Sequence, residues 1–271
     1  MTDSKIDPAV LSMVPANSAT AAPELVLAVQ RLALTRLGVG IDGFYNVDFD
    51  KVDPTAYAFL PRHIADNKKE LLADSLVLGK MFPQVLPYFQ IIDSEGRYLV
   101  YRRIGKEPGL LGKYSIGVGG HIDTWDSFWL YAGHHHQPKI VTTSVGLHRR
   151  THLQDITATG AKRELKEEIN FNHHGQFEFT RMISTFEDDT SVMHLGLPHD
   201  LHLKARPSEE DKKNGSFEWD VESDANYLDK LKFEEAEFPG VEWLTKDELK
   251  AKLKEEGVVF ETWSRLLIEE M

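Results

Sequence analysis

Glu164, Glu167 and Glu168 lie within the run Arg163-Glu164-Leu165-Lys166-Glu167-Glu168. A helix advances by about 100° per residue, so the three carboxylates share one face within an arc of roughly 100°. Ala158, Ala161, Leu165 and Ile169 form a separate apolar stripe that can pack on a sheet. Three carboxylates on one face repel one another unless something positive sits among them. Oxygen-rich clusters of this kind suit Mg²⁺ or Mn²⁺. Arg163, four residues before Glu167, is placed to hold that carboxylate. The same six residues also read as a solvated helix face, so the flanking elements must decide.

Those elements alternate between strand and helix. Ile64–Lys80 has the periodicity of an amphipathic helix. Pro83 and Pro87 then mark a change of structure. Tyr88–Ile92 and Tyr98–Tyr101 read as a hairpin closed by Asp93-Ser94-Glu95-Gly96. Tyr114–Val118 is a short strand running into Gly119-Gly120 and His121. The carboxylates fall on a helix over Ile156–Ile169. A second hairpin pairs Phe177–Phe186 with Ser191–Leu197 across the acidic turn 187–190. Val241–Leu244 is a last strand before two helices, with Thr245 capping the first. The fold class expected is α/β (α+β).

The 271 residues carry 31 Lys+Arg against 43 Asp+Glu, a net charge of −12. That balance argues against general nucleic-acid binding. A phosphorylated substrate then requires local charge reversal. Zero cysteine removes disulfides, thiolate metal sites and cysteine nucleophiles. The apolar stretch Ala19–Leu37 is interrupted by Glu24, Gln30, Arg31 and Arg36, so no membrane span is expected, and a cytoplasmic protein is.

Arg163–Glu168 resembles the core of the Nudix box: Gly, five residues, Glu, seven residues, Arg-Glu-aliphatic-any-Glu-Glu-any-Gly-aliphatic. Gly117-Val118-Gly119-Gly120-His121 resembles the strand and glycines that lead into it. Arg31–Phe44, Pro61-Arg62, Pro87-Tyr88, Arg102-Arg103, Lys113–Ile122 and His194-Leu195-Gly196 resemble a less-characterised branch of MutT-like phosphoesterases. Glu242-Trp243-Leu244 and Glu261-Thr262-Trp263-Ser264 fit it too. Counted back from Arg163, the acidic box position is Asp155 and the first Gly position is Arg149. Asn170 takes the late Gly position and suits a left-handed helix end. The stretch from Gly120 to Arg163 is longer than usual for the family.

The resemblance implies an α/β/α sandwich with a mixed sheet, an N-terminal helical extension and two insertions. Residues 1–23 would be a flexible arm, 24–82 an extension packed on the core, and 83–271 the hydrolase domain, with insertions at about 123–152 and 199–236. It implies hydrolysis of a diphosphate linked to another group, with Mg²⁺ or Mn²⁺ on Glu164, Glu167, Glu168 and Asp155. Glu164, Glu167 and Arg163 would be catalytic. Arg102, Arg103, Lys113, Gly119, Gly120 and His121 would meet the substrate, a small phosphorylated molecule such as a nucleotide derivative. Glu187, Asp188, Asp189 and Glu237 are carboxylates outside the box that could serve as base.

His134-His135-His136 points its imidazoles in different directions on a strand and makes a poor metal site. Trp125, Phe128, Trp129 and Tyr131 suit base stacking, packing of the insertion, or a homodimer contact. An isomerase of the same fold needs a catalytic cysteine and is excluded. The rival expectation is a Nudix-fold binding or scaffold protein without activity. An RNA end-processing hydrolase is disfavoured by the acidic charge.

Overall fold

The computed structural model describes residues 24–62, 82–104, 109–127, 153–171, 173, 177–203 and 240–271. Its centre is the strand β4. To place it in chain order, β1 spans Leu25–Val29, α1 Arg31–Arg36, β2 Gly43–Asn46, β3 Tyr57–Pro61 and β4 Gln84–Ile92. β5 follows over Tyr98–Arg102, β6 over Tyr114–Ser115, β7 over Gly117–Val118 and α2 over Leu153–Ile169. The chain continues with β8 (Arg181–Ser184), α3 (Asp189–Met193), β9 (His194–His202) and β10 (Glu242–Leu244). It ends with α4 (Lys246–Lys252) and α5 (Thr262–Glu270).

The described strands make one mixed sheet with the path β10-β5-β4-β9-β8-β2, and β1 joins it at β4 and carries β3. β4 and β9 run parallel from Gln84↔His194 to Ile92↔His202, whereas the other strand pairings are antiparallel. Successive β4 residues face opposite sides, as strand geometry demands. Val85, Phe89 and Ile91 enter a core with Ile156, Ala161, Leu165 and Ile169 of α2. Tyr88 and Ile92 enter a second core with Leu249 of α4 and Trp263, Leu267 and Ile268 of α5. Helices therefore cover both faces, and the layers are those of an α/β/α sandwich.

Several expectations are corrected. The described part of the N-terminal stretch enters the sheet: Val26, Leu27, Ala28 and Val29 are fully buried within strand β1, and Arg31–Arg36 is the α-helix among its described residues. A short, continuous apolar run suits a central strand as well as a buried helix, so its periodicity could not separate them. β4 starts at Gln84 and contains Pro87. Pro87 has no N–H to offer, and β7 pairs only with Phe89 and Gln90.

The strand expected over 114–118 is broken at Ile116, whose N–H donates to Ser264 Oγ (2.9 Å) instead of a ladder partner. The second hairpin is not a hairpin with an acidic turn. Asp188 accepts from the Ser191 N–H at 2.7 Å and caps α3, so β9 begins at His194, and β8 is confined to Arg181–Ser184. β9 also runs on to His202, into the start of the expected 199–236 insertion, whose residues 204–236 lie outside the described residues. So do the 1–23 arm, the Ile64–Lys80 helix, and Phe128, Trp129, Tyr131 and His134–His136 of the first insertion. Thr245 does cap α4, with Glu248 returning the bond to the Thr245 N–H. No helix among the described residues is long and apolar enough to cross a membrane.

Candidate active site

Helix α2 presents its apolar stripe to the sheet and turns Arg163, Glu164, Glu167 and Glu168 toward a cleft of about 570 Å³. Its end is set by Asn170, at φ 56°, with the Asn170 N–H on Lys166 O (3.1 Å) and the Phe171 N–H on Leu165 O (3.0 Å). Asparagine tolerates that left-handed conformation better than most residues, as expected at this position.

Arg163 organises the carboxylates. Its Nη1 donates to Glu164 Oε1 and Glu167 Oε2, both at 2.8 Å. Nε and Nη2 grip the two oxygens of Asp126, each at 2.9 Å, and Nη2 also donates to His121 O at 2.7 Å. Asp126 is fully buried and also accepts the Asp123 N–H at 2.9 Å. Gly120 backs Glu164 so tightly that a Cβ there would stand 2.1 Å from Glu164 Oε2. Gly119 is held as closely against the carbonyl of Pro87 (1.9 Å for such a Cβ). The two glycines leading toward the box are thus required by contact with β4 and α2.

Burial pushes the Glu164 carboxyl up to about 7; Arg163 opposes this, while Glu168 and Glu167 add to it. In the unfolded chain the group titrates near 4.5. Between those values the folded state holds a proton that the unfolded state has lost. Stability from this group is therefore full below about pH 4.5 and falls as pH rises through 7. The expected loss is at most about 3 kcal/mol. Denaturant unfolding of metal-free protein at pH 5 and pH 8 should show it, and the difference should shrink in Glu164→Gln.

Of the residues expected at the site, Arg163, Glu164, Glu167, Glu168, Arg103, Gly119, Gly120, His121 and Asp188 all border this cleft. Asp155 does not. It sits in the first turn of α2, nine residues before Glu164, which puts it on the opposite side of the helix and about 13 Å along its axis. Arg102 is exposed and donates to Gly112 O (3.1 Å), outside the lining. Lys113 is not in the lining either, although its charge reaches Asp188. Glu187 pairs with Arg265 on the surface. Asp189 opens α3, and Glu237 lies outside the described residues.

Asp188 is half-buried, which opposes ionisation. Hydrogen bonds from Thr262 and Ser191 nonetheless hold it below the usual carboxylate range. It is a weaker proton acceptor than Glu164.

The carboxylate that grips Arg163 is Asp126, which the backward count from Arg163 missed. Gly120, five residues, then Asp126 reproduces the Gly-five-acid spacing, and the carboxylate lands on Arg163. The chain added before the helix therefore lies inside the seven-residue spacer, so counting back through it gave Arg149 and Asp155. Counting forward from Gly120 would have found Asp126.

Opposite the helix, the cleft is walled by Tyr88, Glu261, Thr262 and Trp263. Tyr88 Oη donates to Glu261 and is within 2.6 Å of Ser264 Oγ and 3.2 Å of Ser115 Oγ. Burial, with the Glu261 charge beside it, raises the phenol well above its ordinary range. The Tyr88 ring fills the space where a Cβ on Gly117 would lie (1.9 Å). This network clamps β4 and the β6–β7 break onto α5.

Comparison with solved structures bears on this architecture. Tm1382, a protein proposed to be a Nudix hydrolase, superposes with a TM-score of 0.56 at 20% identity, covering 91% of this chain and 97% of that one. The fold is the Nudix fold. A Nudix hydrolase from Alicyclobacillus acidocaldarius (TM-score 0.38, 10% identity, 69% and 90% covered) overlaps more loosely and carries no weight here. The same holds for the MutT protein from Methanosarcina mazei Go1 (0.32, 15%, 69% and 89%). No family model matches the sequence, and no curated protein does. Within the Nudix fold, the carboxylate helix, its Arg163 clamp and the glycine pair occupy one cleft wall, with the β6–β7 break and α5 on the other.

Proposed function

We propose that this protein hydrolyses a diphosphate bond in a nucleoside diphosphate derivative, with Mg²⁺ or Mn²⁺ held by Glu164, Glu167 and Glu168. The observation that carries the reading is the carboxylate face of α2, clamped by Arg163 and backed by Gly120, on a cleft large enough for a small organic ligand. The donor set is all oxygen, which fits a hard divalent ion. Such an ion, when bound, offsets phosphate charge and lowers the pKa of an attacking water.

The chain's own contributions follow from the geometry. Arg163 fixes one oxygen each of Glu164 and Glu167, leaving Glu164 Oε2 against Gly120. Glu164, raised by burial, is a better base for water than Asp188, whose oxygens are taken by Ser191 and Thr262.

One observation favours the second reading, a binding protein without turnover. Among the described residues, no three carboxylates or imidazoles stand together as an ion cage. A substrate panel separates the two readings: nucleoside diphosphate sugars, dinucleoside polyphosphates, ADP-ribose, nucleoside triphosphates and capped RNA, each with Mg²⁺ or Mn²⁺. The hydrolase reading expects ion-dependent cleavage of at least one small diphosphate. Tight binding with no cleavage across the panel would establish the binding protein.

A further inference from the structure

Arg103 is a half-buried cation on the cleft wall, and its position is unusual for an arginine in so acidic a protein. Its Nη1 donates to the Tyr101 hydroxyl (3.2 Å), and no carboxylate among the described residues is within ion-pair reach of it. Tyr101 is itself committed as a donor to Gly117 O at 2.7 Å. A guanidinium has five N–H donors in a planar fork, so most of this one's capacity is unspent among the described residues.

A second donor lies on the same wall. Trp263, 6% exposed, borders the cleft, and its buried indole N–H has no acceptor among the described residues. The benzo edge of that indole packs on Gly196, where a Cβ would come within 3.0 Å of it. The Tyr88 ring meets Trp263 edge-on at 5.5 Å. Glu261 stands nearby, but its oxygens accept from Tyr88, Ser264 and the Trp263 N–H of the backbone. A buried donor without an acceptor is costly in a folded protein, and a cation and an N–H on one wall of a cleft ask for an oxyanion.

Arg103 and Trp263 border the same cleft as Glu164, Glu167 and Glu168. We infer that Arg103 and the indole N–H of Trp263 seat the second phosphoryl group of the diphosphate, while the carboxylate face of α2 takes the first. The inference rests on the hydrolase reading for its ligand, but its contacts do not require turnover.

The test is titration calorimetry with methylenediphosphonate, a non-hydrolysable diphosphate, in chelator and again in Mn²⁺. Arg103→Gln is expected to weaken binding about tenfold or more in both arms, as for loss of a charge-assisted bond. Trp263→Phe keeps a ring against Tyr88 and Gly196 and should weaken it several-fold in both. Arg103→Lys keeps the charge but not the fork and should fall between the parent and Arg103→Gln. Thermal melting reports folding; should Arg103→Gln unfold, Trp263→Phe and Arg103→Lys decide.

Unchanged affinity in folded Arg103 and Trp263 variants, or no binding by the parent in either arm, overturns the inference. The function reading fails separately. In that case Mn²⁺ would leave binding unchanged and the substrate panel would stay uncleaved, while Arg103→Gln still lost methylenediphosphonate.

Discussion

Glu167→Gln is expected to lower turnover about 10³-fold, equivalent to about 4 kcal/mol of barrier, while leaving the fold intact. Two magnitudes separate these effects. Glu167 is 59% exposed, and its i,i+4 pair with Arg163 is a surface ion pair worth about 0.3–0.5 kcal/mol to folding. In the proposed reaction Glu167 would help hold the ion at the reacting phosphate, so its loss would act on the barrier rather than on folding. Glu168→Gln should behave alike. Steady-state rates alongside thermal melts make the check. A large rate loss with an unchanged melt supports the account, and full activity in both variants contradicts it.

Asp126→Ala is expected to do the reverse, with stability falling first. The carboxylate is fully buried and holds Nε and Nη2 of Arg163 at 2.9 Å. Burial alone would raise its pKa, and Arg163 opposes that. Removing one partner of a buried pair costs about 3–5 kcal/mol. Arg163 keeps Glu164, Glu167 and the His121 carbonyl, so the low end, about 3 kcal/mol, is expected. Because Arg163 then loses its anchor, Glu164 and Glu167 should also bind Mn²⁺ more weakly, by about 10–100-fold. Denaturant unfolding and Mn²⁺ titration measure the two parts. A stability change under 1 kcal/mol would show that Asp126 is not the anchor of Arg163.

The carboxylate face was legible because it is local. Glu164, Glu167 and Glu168 are brought together by helix period alone, and Gly119-Gly120 by an adjacent strand end. Asn170 at the helix end follows from the same kind of reading. Asp126 was not legible by counting from Arg163, since the added residues split the spacer, and chain distance across such an addition carries no geometry. The Tyr88–Glu261 contact joins residues 173 apart, beyond the reach of any periodicity. β1 was obscured for a different reason. Leu25–Val29 is apolar on both faces because it is buried on both, and such a run has neither the strand nor the helix period. Asp188 looked like a turn residue because Asp serves both turns and N-caps, and only the Ser191 bond separates the two uses.

The most direct test of the central claim is the initial rate of diphosphate cleavage against free Mn²⁺. It would be measured on the best substrate of the panel for the parent and for a variant with Glu164, Glu167 and Glu168 all changed to Gln. The account predicts no cleavage in chelator, a saturable rise with Mn²⁺ in the parent, and no rise in the variant. Cleavage in chelator, or an unaltered Mn²⁺ dependence in the variant, would contradict it.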